Sequence, residues 1–111
     1  MNETTDITLP TLVAISQLNG ACFWRQNQGT FVTLDGKRVV KATSVEGCGD
    51  IMGCFRGRAV AVETKPRRGK QLKSQRIFQK NWERAGGLYI IANSPDHAVD
   101  QLIWEPCNDS R

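Results

Sequence analysis

The chain has 111 residues, 40% hydrophobic and 23% charged, with a net charge of +4. That is enough for one domain, residues 1–111, with its own packed core and no need of disulfide or metal staples. No apolar run approaches the ~18 residues that span a bilayer, and the opening MNETTDITLP holds two acids and no base, unlike a secretory signal; a cytoplasmic protein without membrane contact is expected.

Thr11 to Leu18 carries Leu12, Val13, Ile15 and Leu18 at helical spacing, ended by Asn19-Gly20. Pro10 suits the first turn of that helix, where its missing donor costs nothing. Ala21 to Arg25 reads as a short strand with Phe23 and Trp24 as packing residues. Thr30 to Leu34 and Lys37 to Ala42 flank Asp35-Gly36, a strong short-range hairpin signal. Ser44 to Gly49 is a glycine-bearing loop. Asp50 to Phe55 and Arg58 to Lys65 then form a second hairpin around Arg56-Gly57.

In the second strand of that hairpin, Ala59, Ala61, Glu63 and Lys65 share one face, while Val60, Val62 and Thr64 share the other. The small alanines leave room above the sheet where Glu63 and Lys65 point. Pro66 has no donor for another rung and ends the ladder. A helix over Leu72 to Ala85 places Gln75, Phe78, Trp82 and Ala85 on one face, with Lys73, Arg76, Lys80 and Arg84 as a basic stripe well round from it. Gly86-Gly87 stops the helix. The apolar run Leu88 to Asn93 reads as a strand buried on both faces. Ser94 at the N-cap and Pro95 at N1 start a last helix, with Asp96 in its first turn. The order is α, several strands, α, β, α around a mixed sheet, an α/β (α+β) fold.

Charge is unevenly spread. Residues 56–84 hold ten bases (Arg56, Arg58, Lys65, Arg67, Arg68, Lys70, Lys73, Arg76, Lys80, Arg84) against Glu63 and Glu83, whereas the tail from Asn93 is acidic. A block of that density fits a polyanionic partner, because each phosphate neutralised releases condensed counterions. Of the cysteines Cys22, Cys48, Cys54 and Cys107, none is paired at zinc-ligand spacing, and His97 is the one histidine. Free thiols are expected.

Hydrolysis of a phosphodiester brings an anionic nucleophile to an anion, and a divalent cation answers this by screening the phosphate and activating a water. Magnesium takes hard oxygen ligands. Asp50 and Glu63 supply two carboxylates, the Thr64 carbonyl a third oxygen, and Lys65 an ammonium for the attacking water or the phosphate. Gln75, a polar group on an apolar face, needs a partner, and a metal-site water is a candidate. Arg67, Arg68, Lys70 and Lys73 follow directly and are the expected DNA-binding residues. A metal-dependent nuclease is the expected function.

The stretch Trp24-Arg25-Gln26-Asn27, then Gly47-Cys48-Gly49-Asp50-Ile51-Met52-Gly53, Val60-Ala61-Val62-Glu63-Thr64-Lys65, Gly69-Lys70, Gln75-Arg76-Ile77-Phe78 and Ala85-Gly86-Gly87-Leu88-Tyr89-Ile90-Ile91-Ala92 resembles the virus-type replication-repair nuclease domain (VRR-NUC), a branch of the PD-(D/E)xK nucleases. The resemblance covers roughly residues 11–103. It implies a restriction-endonuclease-like αβββαβ core, dependence on Mg²⁺ or Mn²⁺, and a catalytic set of Asp50, Glu63 and Lys65 assisted by Gln75. It also implies a homodimer that cuts branched DNA such as Holliday junctions, and many such small members are carried by phages. Two departures stand out: Ser44 replaces the usual glycine before the aspartate, and Thr11 to Leu18 lacks the glutamate that the first helix usually contributes. Glu3 or Asp6, upstream, could take that role. The competing readings are a DNA-binding module that kept the fold but lost cutting, and a zinc module, which would need all four cysteines to converge.

Overall fold

The computed structural model describes residues 2–26, 30–41, 45 and 47–104. Ser44, Cys107 and the side chain of Phe31 lie outside the described residues. Four strands, β1 (Ala21–Arg25), β4 (Ile51–Phe55), β5 (Arg58–Thr64) and β6 (Leu88–Ala92), form one sheet in the order β1-β4-β5-β6. The first two pairings are antiparallel and β5 with β6 is parallel, so the sheet is mixed and the fold is α+β. A separate two-stranded ribbon, β2 (Thr30–Val32) with β3 (Val39–Lys41), is inserted between β1 and β4. The helices are α1 (Leu9–Ser16), α2 (Lys73–Arg84) and α3 (Pro95–Trp104). None is long and apolar enough to cross a membrane.

Strand alternation divides the molecule into layers. Val60 and Val62 point to one face, where they pack with Ile51, Phe55, Ile90 and Ala92 under Ile15 of α1 and Ala98 and Leu102 of α3. Ala61 and its register partner Tyr89 point to the other face. There α2 stacks Phe78 on Trp82, ring centroids 5.3 Å apart, and sets Phe78 at 6.1 Å from Tyr89. Trp82 Nε1 donates to the Leu88 carbonyl at 3.0 Å, which satisfies the one polar atom of a large apolar side chain. The β4–β5 turn has Arg56 at φ 52° and Gly57 at φ 85°, the two left-handed residues of a primed hairpin turn whose twist matches the flanking strands.

Several sequence expectations need correction. The first helix does not begin at Thr11: the chain is already helical at Glu3 and passes through a π-helical turn, Thr4–Thr8, before α1. Pro10 has no N–H to give to the Asp6 carbonyl four residues back, and the turn just before it is widened. The first hairpin is shorter than expected. The face of Ala61 and Glu63 is not open, since both side chains are buried and only Ala59 is exposed. Strand β6 stops at Ala92 and lies at the sheet edge, so Ile91 is exposed instead of being buried. The expected start of α3 holds, with the His97 amide donating to Ser94 Oγ at 3.1 Å.

Candidate functional site

The register pairs Ile51 with Val62, so Asp50, one residue before β4, meets the chain where β5 reaches Glu63 and Thr64. Its Oδ2 accepts the Thr64 amide at 2.8 Å and lies 3.1 Å from Thr64 Oγ1. Two glycines permit this approach. A Cβ on Gly47, itself at φ +81°, would run into the Ser74 carbonyl at the start of α2, and one on Gly49 would press on the Val62 backbone.

Thr64 Oγ1 also lies 3.3 Å from Glu3 Oε2 and 2.6 Å from Thr8 Oγ1. A hydroxyl has one proton and can accept another. Thr8 therefore donates to Thr64, and Thr64 donates to one of the two carboxylates, a relay of buried threonines between helix and strand. Of the two acids that could stand in for the missing first-helix glutamate, Glu3 is the one that reaches this end of the sheet. Asp6 is exposed and accepts the Asn2 amide instead.

Glu63 lies beside this group but on the α2 face. It is 1% exposed, and three donors surround its carboxylate: Gln75 Nε2 at 2.6 Å, the Tyr89 hydroxyl at 3.1 Å and Lys65 Nζ at 3.4 Å. Burial and, next, the charge of Asp50 push its pKa up to about 7, against the pull of Lys65 and Tyr89. The Tyr89 hydroxyl is itself pushed above its ordinary range, mainly by burial and then by the charge of Glu63, so it stays a donor.

Gln75 is held from both ends. Its Oε1 accepts the Leu72 amide at 2.7 Å, the returning half of a capping box, and this aims Nε2 at Glu63. The partner that a buried glutamine requires is thus Glu63 itself. Residues of the site that the sequence does not single out are Tyr89, Thr8 and Gln71, whose Nε2 lies 3.5 Å from the Tyr89 hydroxyl. Only Tyr89 carries a signal: a phenol inside the apolar run Leu88 to Ala92 needs a polar partner.

The expected basic residues leave this end together. Arg67, Arg68 and Lys70 are exposed around a turn closed by the Gly69 amide on the Pro66 carbonyl at 2.7 Å, and Lys73 opens α2. The first turn of α2 carries no acid. A lysine at the positive end of a helix dipole is unfavourable unless an anion sits nearby.

The donor chemistry at this end, carboxylates plus backbone carbonyls, is what a hard divalent cation takes. Asp50, Glu63 and the Thr64 carbonyl would hold such an ion, with Glu3 in reach of the same end. Among the described residues no three His, Cys, Asp or Glu side chains converge as a metal cluster. Cys22 and Cys54 are free thiols, exposed and opposite each other across β1 and β4, while Cys48 is buried. Compared with protein-family models, curated proteins and solved structures, the chain finds no match.

Proposed function

We propose that the protein is a divalent-metal-dependent DNA endonuclease with a restriction-endonuclease-like core, of the VRR-NUC branch of the PD-(D/E)xK nucleases. The observation that carries this is Glu63: a carboxylate 1% exposed, pushed to a pKa of about 7 by its burial and, next, by the charge of Asp50, and 3.4 Å from Lys65. A structural role would not call for two neighbouring acids, one of them buried, at a strand end that opens onto an exposed basic turn. Leaving out the β2–β3 ribbon, the element order reads αβββαβ followed by α3, which supports the same core.

Bound Mg²⁺ or Mn²⁺ would lower the pKa of a water and offset phosphate charge. The rest falls to the chain. Gln75 and Tyr89 fix the rotamer of Glu63, and the Thr64 amide fixes that of Asp50. Lys65, whose side chain is 16% exposed, offers its ammonium to the attacking water or to the phosphate. Arg67, Arg68, Lys70 and Lys73 hold the flanking phosphates. Branched DNA such as a Holliday junction is the substrate class, and the working form is a homodimer.

Labelled linear, forked and four-way DNA, incubated with and without Mg²⁺ or Mn²⁺, tests the reading. Cutting that needs the metal and falls at least ~10²-fold in Lys65→Ala and Glu63→Ala supports it. The second reading, a DNA-binding module without cutting, draws on the lack of a three-carboxylate cluster among the described residues. It predicts binding without cleavage under every metal, whereas near wild-type cutting by either variant would sink the site assignment.

A further inference from the structure

The β2–β3 ribbon has no place in the main sheet. A lone two-stranded hairpin is at best marginal in water, so a hairpin kept apart from the core calls for a role at the surface. Leu34 at its tip is 108% exposed, and the cross-strand pair Val32 and Val39 is exposed as well. Lys37 and Arg38 follow the tip, also exposed. The acid of the turn is spent internally: Asp35 accepts the Lys37 amide at 2.9 Å and the Thr33 hydroxyl. The surface that remains is a basic ribbon with an apolar point.

The described residues that flank the ribbon limit where it stands. The Gln26 amide donates to the Asp50 carbonyl at 2.8 Å, so the chain leaves β1 beside Asp50 and returns to it through Gly47–Gly49. The ribbon is therefore anchored at the sheet end that holds Asp50, Glu63 and Lys65. We propose that it is an arm that enters the groove of duplex DNA next to the strand presented to that site, with Lys37 and Arg38 on phosphates and Leu34 against the base edges or a step opened at a branch. This rests on the nuclease reading above. A two-stranded ribbon fits the major groove of B-DNA, about 12 Å wide. It does not fit the deep, narrow groove of A-form RNA. At ~3.4 Å per residue, the paired strands of three residues reach ~10 Å, about a third of a turn along a duplex.

The test uses the full chain with Ca²⁺ in place of Mg²⁺, a fluorescent B-form duplex, a four-way DNA junction and an RNA duplex. Lys37→Ala with Arg38→Ala lowers affinity for both DNAs at least ~10-fold, and the log–log salt slope falls by about 1.8, two phosphates at ~0.9 each. Leu34→Ser lowers affinity for the junction several-fold and leaves the slope unchanged. Hydrolysis of bis-p-nitrophenyl phosphate with Mn²⁺, a substrate too small to meet the arm, stays at the wild-type rate in all variants. The substituted side chains are exposed, so melting temperatures stay the same. Wild-type affinity in these variants, with DNA cutting intact, overturns the arm and leaves the nuclease reading standing. Equal losses on the RNA duplex overturn the groove assignment. A wild-type protein that neither binds nor cuts DNA overturns both.

Discussion

On the nuclease reading, Glu63 is the residue on which stability and activity pull in opposite directions. Its pKa is about 7 in the folded protein against an ordinary 4.5, so in metal-free buffer the native state holds a proton that the unfolded chain has released anywhere between those values. The stability this represents is complete below pH 4.5 and lost as pH rises through 7, when the carboxylate must be charged while buried. The upper bound is about 3 kcal/mol, which for a domain of this size is several degrees or more in melting temperature. With EDTA present, the protein should melt higher at pH 5 than at pH 8. Glu63→Gln, which has no proton to lose, should flatten that difference while abolishing cutting. An unchanged pH dependence of melting in the variant would mean that another group sets it. At this scale the sequence is informative about Glu63, Lys65, Asp50 and Gln75, because acid, lysine and turn spacing are local. For Tyr89 the sequence shows the need of a polar partner but not which one, and Thr8 is not legible in it. They meet Glu63 and Thr64 only through the parallel β5–β6 register and the packing of the first helix, which join residues 26 and 56 positions apart.

The elements are mostly readable from periodicity and punctuation: Arg56-Gly57, Pro66, Gly86-Gly87 and Ser94-Pro95 mark boundaries that the fold keeps. The start of the first helix escapes such reading for a physical reason. A proline following a threonine-rich stretch with little apolar periodicity resembles a helix start, and here the helix runs back through it by widening one turn. That turn sets the rotation of Glu3. Pro10→Ala restores a donor to the helix and favours a regular α-helix over Thr4–Thr8. Removing the one extra residue of the π turn would rotate everything before it by about 100°. Glu3 would then leave Thr64. The variant should keep or raise its helical circular dichroism and melting temperature yet lose metal affinity or cutting rate by roughly tenfold, while wild-type activity would show Glu3 to be a bystander. The turn after β5 makes a separate prediction. Neutralising Arg67, Arg68 and Lys70 together should weaken binding to DNA of every shape and flatten the salt dependence by about 0.9 in slope for each phosphate no longer neutralised. An unchanged slope would reduce that turn to an ordinary solvated loop.

At the scale of the whole molecule, the open question is what covers the far side of the sheet. Helix α2 packs over β6, where Tyr89 lies under Phe78, and on that face Cys22 and Trp24 of β1 and Cys54 of β4 are exposed among the described residues. The alternation of the strands puts Cys22 and Trp24 of β1 beside Cys54 and Met52 of β4, with Ala59 next in line. None of the five is charged, and Trp24 is 51% exposed with its Nε1 3.4 Å from Gln26 Oε1. An antiparallel face that meets water normally alternates to polar residues. On the nuclease reading these 111 residues hold one catalytic set, so paired nicks in a four-way junction need two copies or two encounters. A second copy related by a two-fold axis through the Trp24 face would meet both demands, since isologous dimers are the commonest assembly and tryptophan is favoured at interface centres. Trp104, also exposed, stands on α3 across the sheet and would not take part. Sedimentation at micromolar concentration should therefore give twice the chain mass. Trp24→Arg, which sets like charges against each other across the axis, should give the single mass. On a supercoil-extruded cruciform the wild-type protein should place both nicks within one binding event, and Trp24→Arg should release singly nicked circles at a cutting rate per site within a few-fold of wild type. A wild-type monomer that still makes paired nicks would remove the dimer while leaving the chemistry at Glu63 untouched.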